Sequence, residues 1–168
     1  LRNSIKNLSK PHVRYGPTGL INPVIDGKVT TYYEWSSAGV CQREHMGGAM
    51  YETTHFIEAI YYGFNMTDLF IRLDVTPEND CDVKIQLHSN HDFDIQFPLT
   101  EPKDLAVSKI VGNKKIKTET LQNHAAGTNI TEMKIPFSAI DGQEGNVISF
   151  SIAIFKNDIK LEECPRHG

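Results

Sequence analysis

The feature that most constrains this chain is a succession of short alternating segments, closed by turn-forming residues and spaced roughly 8–14 residues apart. Residues 69–75 (LFIRLDV), 83–88 (VKIQLH), 93–99 (FDIQFPL), 130–137 (ITEMKIPF) and 147–155 (VISFSIAIF) place apolar side chains at every second position or run apolar throughout. Each therefore reads as a strand with one or both faces buried. The stretches at 65–68, 77–80, 89–92 and 157–158 are rich in Asn, Asp, Ser and Pro, the residues of turns. Further strands are predicted over 55–64, 106–111, 115–121 and 159–163. No long 3.6-residue periodicity intervenes, which argues against a βαβ architecture. The pattern predicts an all-β fold, one antiparallel β-sandwich of roughly eight to ten strands, immunoglobulin-like in architecture.

Residues 28–35 (KVTTYYEW) also read as a strand, with Tyr33 and Trp35 sharing one face and Tyr32 and Glu34 the other. Before it, residues 16–27 read as an extended linker with turns that ends at Asp26-Gly27, and residues 36–50 read as a Gly-rich loop. At the N-terminus, Leu1, Ile5 and Leu8 have helical spacing, and Pro11 stops the pattern. Nine residues do not hold a helix alone in water, so the expectation is a short helical stub from an upstream region. The organisation expected is thus an upstream helical end and linker over 1–15 and a β-sandwich accessory domain over 16–168. The chain opens at Leu1, and both ends read as boundaries within a longer protein.

With 39% hydrophobic residues the chain can bury a core, and a net charge of −4 disfavours nucleic acid or an anionic membrane as a partner. No stretch approaches the roughly 18 apolar residues of a membrane span. Cys41, Cys81 and Cys164 are widely spaced and form no CxxC; one disulfide and a thiol is one reading, and a reduced cytoplasmic protein is the simpler one. Sequons at Asn7, Asn65 and Asn129 matter only in a eukaryotic secretory pathway.

Local catalytic signatures are absent: there is no GxSxG, Walker A, GxGxxG or HExxH motif. His88, His91 and Asp92 form the most metal-like cluster, but His, Asn and Asp are also what a solvated hairpin turn prefers, and no metal is expected. Asp74 to Asp82 offers oxygen ligands without the EF-hand pattern and reads as a turn between strands. His45, Met46, Met50 and His55 raise the alternative of a haem-binding electron-transfer sandwich; no cofactor is expected. The aromatic residues are the strongest lead. Tyr32, Tyr33, Trp35, Tyr61 and Tyr62 are candidates for stacking on pyranose rings, since their flat apolar faces carry polar tips. Against that, the single tryptophan reads as the core tryptophan of the sandwich.

Several stretches together resemble the C-terminal domain of family 57 glycoside hydrolases, a relative of DOMON-like β-sandwiches. They are Asn22-Pro-Val-Ile-Asp-Gly27, Tyr32-Tyr-Glu-Trp-Ser-Ser-Ala-Gly39, Gly48-Ala-Met50, Tyr61-Tyr-Gly-Phe-Asn65, Leu69-Phe-Ile-Arg-Leu-Asp74, Thr131-Glu-Met-Lys-Ile-Pro-Phe137 and the closing Leu161 to Gly168. Cys164 departs from the pattern, which has a larger or aromatic residue there. The resemblance implies a non-catalytic accessory module behind a catalytic barrel that acts on α-glucans. It would bind polysaccharide or pack on its own upstream catalytic domain, with the catalytic carboxylates lying upstream. A purely structural or interaction domain is the alternative.

Overall fold

A computed structural model of the chain describes residues 12–28, 33–43, 56–76, 80–127, 129–143, 145 and 147–164. Among these residues twelve strands are present: β1 (His12–Tyr15), β2 (Gly39–Arg43), β3 (Ile57–Phe64), β4 (Asp68–Val75), β5 (Cys81–His88), β6 (Asp92–Pro98), β7 (Leu105–Val111), β8 (Lys114–Leu121), β9 (Ala125–Gly127), β10 (Ile130–Pro136), β11 (Ser149–Lys156) and β12 (Ile159–Cys164). One 3₁₀ turn, η1 (Phe137–Ile140), follows β10.

The strands form two six-stranded sheets, ordered β1-β2-β3-β4-β10-β9 and β12-β11-β5-β6-β7-β8, and each pairing is antiparallel. The core lies between them. Leu69, Ile71, Leu73 and Val75 of β4 and Met133 and Ile135 of β10 face Val83, Ile85 and Leu87 of β5, Phe93, Ile95 and Phe97 of β6, and Ile152 and Ile154 of β11. The two sheets pack face to face, with alternate residues of each strand forming a shared apolar layer. The β5–β6 ladder sets Ile85 against Ile95 and Val83 against Phe97, so a slip of one residue would turn the whole apolar row to solvent.

Turn chemistry follows the tight links. Asn157 and Asp158 both take positive φ, at 51° and 63°, between β11 and β12. That is the type I′ geometry matching the twist of a two-residue hairpin. Gly112, at φ 62°, opens the equivalent β7–β8 turn.

The all-β sandwich expected from the alternation is present, with more strands than the eight to ten anticipated. The additional strands are short. Residues 39–43 pair with Ala59–Tyr62 as β2 instead of forming part of a Gly-rich loop, and residues 12–15 form β1 instead of a linker. Runs of four or five residues show too few alternations to be read, and a neighbouring strand organises them by supplying ladder hydrogen bonds. The expected helical stub lies in residues 1–9, outside the described residues.

The strand expected over 28–35 is not formed where it is described. Residues 33–37 make a turn in which Ser36 N–H donates to the Tyr33 carbonyl at 3.2 Å and Ala38 N–H to the Trp35 carbonyl at 3.1 Å. In a turn of i, i+3 bonds successive side chains rotate by about 100–120°, so residues two apart point in nearly opposite directions. Tyr33 and Trp35 therefore do not share a face: Tyr33 is 78% exposed and Trp35 only 6%.

Candidate functional site

Residues 16–28 and 33–38 fold back over the outer face of the first sheet. Strands β3, β4 and β10 present Gly63, Phe70, Arg72 and Glu132 on that face, since Ile60, Ile71 and Met133, on the alternate positions, belong to the main core. Ile21, Trp35 and Phe70 pack there into a second small core, flanked by Ile25, Ala38 and Tyr61. Ile21 sits directly on Gly63: a β-carbon at that glycine would lie 2.6 Å from Ile21 Cδ1. The backbone is tied down beside it, with Ile21 N–H donating to the Phe64 carbonyl at 3.0 Å and Thr18 N–H to the Ser37 carbonyl at 2.9 Å.

Glu132 pins this cover in place. Its side chain, on β10, is fully buried. Oε2 accepts from Trp35 Nε1–H at 2.8 Å, and Oε1 accepts from Gly27 N–H at 2.8 Å and Asp26 N–H at 3.4 Å. Burial raises the carboxyl above its ordinary range, the three donors act in the opposite direction, and the Glu34 charge adds to the rise. The Asp26-Gly27 turn fits because Gly27 has φ 72° and lies against Gly127, where an added β-carbon would come 2.4 Å from the Gly127 Cα.

The second buried carboxylate, Glu162 on β12, belongs to the seam between the sheets. Its Oε2 accepts from Phe56 N–H at 2.7 Å and Ile57 N–H at 2.9 Å, tying the edge of the second sheet to β3 of the first.

On the outside of the cover lies a shallow depression of about 370 Å³ lined by Leu20, Ile21, Asn22, Val24, Tyr33, Glu34 and Ser37. Leu20 (57% exposed), Val24 (63%) and Tyr33 (78%) put apolar and aromatic surface into water there. The turn that carries Tyr33 is anchored locally: Trp35, two residues on, packs in the small core and donates to Glu132. Glu34 Oε1 accepts from Val24 N–H at 2.7 Å and closes the loop across the depression. Apolar surface with a flat ring, bordered by carboxylate, amide and hydroxyl groups, suits a ligand with alternating apolar and hydroxylated faces. A second depression, about 540 Å³, is lined by Asp80, Cys81, Asp82, Pro98 and Thr100, none of them aromatic.

The five aromatic candidates are dispersed. Tyr32 lies outside the described residues. Tyr33 is on the surface, and Trp35 is buried, though in the small outer core with Ile21 and Phe70 and not in the core between the sheets where the sandwich tryptophan is expected. Tyr61 is half-buried beneath the Arg72 guanidinium, 4.5 Å from its ring centre, and Arg72 in turn grips Asp74 with two hydrogen bonds. Tyr62 points to the opposite side of β3 and meets Phe150 edge to face at 5.6 Å. Among the described residues only Tyr33 of these candidates is exposed on the cover, with neighbours that the aromatic reading missed. Asn22 and Val24 belong to a stretch that carries the family resemblance, but neither they nor Leu20 read as site residues, since they sit in a segment that reads as linker.

The other ligand candidates separate in the same way. His88 Nδ1 meets Asp92 Oδ1 at 2.5 Å, whereas His91 turns to Asp141, at 3.2 Å, a residue also held by Lys109. Among the described residues no group of three or more His, Cys, Asp or Glu side chains is placed to hold a metal ion. His45, Met46, Met50 and His55 lie outside the described residues.

Fold and site together define a two-sheet antiparallel β-sandwich with a covered outer face and an exposed tyrosine on the cover. Comparison with protein-family models, with curated proteins and with solved structures gives no match. Among the described residues no helix is long and apolar enough to cross a membrane.

Proposed function

We propose that this chain is a non-catalytic accessory domain of an α-glucan-acting glycoside hydrolase, and that it binds carbohydrate at the depression around Tyr33. The observation that carries this reading is Tyr33 itself, a large aromatic side chain 78% exposed on a turn whose geometry is fixed by buried Trp35 and Glu132. A ring carried on a turn that is already fixed leaves less backbone to order on stacking against a sugar, and this is how a small contact area gains affinity. The resemblance of residues 20–168 to the domain that follows family 57 catalytic units supplies the substrate class. The non-catalytic reading draws support from the two buried carboxylates, since Glu132 and Glu162 both cap main-chain N–H groups inside the fold.

Titration calorimetry with maltoheptaose and affinity electrophoresis in amylose gels test the proposal. Wild-type protein is expected to bind, and Tyr33→Ala to lose at least about tenfold in affinity, the equivalent of roughly 1.4 kcal/mol, while its melting temperature is unchanged. Absence of binding by the wild type, or full retention by Tyr33→Ala, overturns it. Retardation by none of the glucans together with co-purification on the catalytic domain would assign the same exposed surface to packing within the parent enzyme.

A further inference from the structure

We propose that Cys41 and Cys164 form a redox-controlled cross-link between the two sheets. Cys41 lies on β2 of the first sheet and Cys164 ends β12, the edge strand of the second. Both side chains are buried, at 9% and 3% exposure, and their sulfurs lie 3.9 Å apart. Ladder register explains the meeting. Cys41 pairs with Ile60 and Cys164 with Ile152, and both partners face the main core, so each thiol points inward from its own sheet.

The approach is held by an independent contact two residues away. Glu162 accepts from Phe56 and Ile57 N–H and fastens β12 to β3. A disulfide needs its sulfurs about 2.05 Å apart, so bond formation requires the pair to close by roughly 2 Å in total. An edge strand that pairs with one neighbour among the described residues can supply that shift. Cys81 is elsewhere: it pairs with Lys156, four residues along β11 from the Ile152 that pairs with Cys164.

The step is a thiol–disulfide exchange with a small-molecule disulfide. One protein thiolate attacks it, forming a mixed disulfide and releasing one small thiol; the other protein thiol then displaces the second. One protein disulfide forms, one external disulfide is reduced to two thiols, and the atoms and electrons balance. Burial blocks access to the thiols, so exchange in the folded protein is slow and accelerates when the edge strands open. Once made, the bond joins residues separated by 123 positions, which removes much of the freedom of the unfolded chain.

The test uses the full chain equilibrated in glutathione buffers of increasing oxidising poise, then denatured, alkylated and mapped by mass spectrometry. The expected result is a loss of about 2 Da, a Cys41–Cys164 cross-linked peptide, and Cys81 alkylated. A melting temperature higher by roughly 10 °C should accompany it, reversed by dithiothreitol and absent in Cys164→Ser. Cys41→Ser serves as the second variant should Cys164→Ser not fold; the wild-type mapping depends on neither. Three alkylated cysteines at the most oxidising poise, a bond that includes Cys81, chains linked to one another, or a cross-link that leaves the melting temperature unmoved would each overturn the proposal.

Discussion

The outer faces of the two sheets are built to opposite plans. On the second sheet, β5 and β6 turn Lys84, Gln86, Asp94 and Gln96 outward, with Lys84 lying over the Phe155 ring and Asp94 paired to Lys115. On the first, residues 16–28 and 33–38 close over Phe70 and Glu132. The bare face needs only alternation. The covered face needs strands apolar on both sides, small residues where the cover touches down, and a buried acceptor for the donors the cover brings with it. Glu132 is that acceptor, and its place on an outward position of β10 is what makes the cover specific rather than merely hydrophobic.

The comparison breaks most visibly at Trp35. Trp35→Ala empties the centre of the small core and strips Glu132 of one donor, so urea unfolding should show a loss of about 3–5 kcal/mol. Recovery of near wild-type stability would mean that the cover contributes little and that the main core alone sustains the fold.

Gly27→Ala strikes the cover at its contact with β9. A side chain at φ 72° is strained, and the β-carbon meets main chain rather than a flexible side-chain end. A loss of at least about 2 kcal/mol is expected from left-handed strain and forced backbone movement. The same substitution at Gly112, at φ 62° with nothing within 4 Å of an added β-carbon, should cost about 1–2 kcal/mol from strain alone.

Glu132→Gln sharpens the electrostatic side. The two carboxylate oxygens each receive a donor, and an amide replaces one acceptor with an NH₂ group facing an N–H. The expected loss is about 1–3 kcal/mol for a buried unsatisfied donor. The pH dependence has a definite sign. Because the folded carboxyl is raised above its ordinary value of 4.5, the folded chain holds this proton where the unfolded chain has released it. Its contribution to stability is therefore full below the ordinary value and is lost as pH rises through the raised folded value. Wild-type stability minus that of Glu132→Gln should fall across this window and level off above it, and Trp35 emission should titrate with the carboxyl. A difference that rises with pH would contradict the burial argument.

The smallest effects belong to the surfaces. Tyr33→Ala and Gln86→Ala, one on the cover and one on the bare face, should each shift stability by no more than about 0.5 kcal/mol. Tyr33 and Trp35 thus provide a two-residue contrast, one side chain reserved for solvent and the other for the core. A large loss at Tyr33 would show that its ring serves the fold.

Much of the sandwich is legible in the chain because strand alternation is local: side chains two apart share a face whatever the partner strand, so 69–75, 83–88, 93–99 and 130–137 announce themselves. The Asn157-Asp158 hairpin is legible for the same reason, since its positive φ values suit those two residues. The strands β1, β2 and β9 are not, because a short run acquires its conformation from the ladder it joins. The cover is not legible either. KVTTYYEW has the composition of a strand, and the docking of Trp35 on Phe70 and Glu132, 97 residues away from Trp35 for the latter, selects a turn over an extended segment at residues 33–35. The same holds for the meeting of Cys41 and Cys164, two thiols on different sheets. Composition and period settle what a segment of this protein does alone; which segments meet is decided by burial, where one hydrogen-bonded carboxylate outweighs the local preference of several residues.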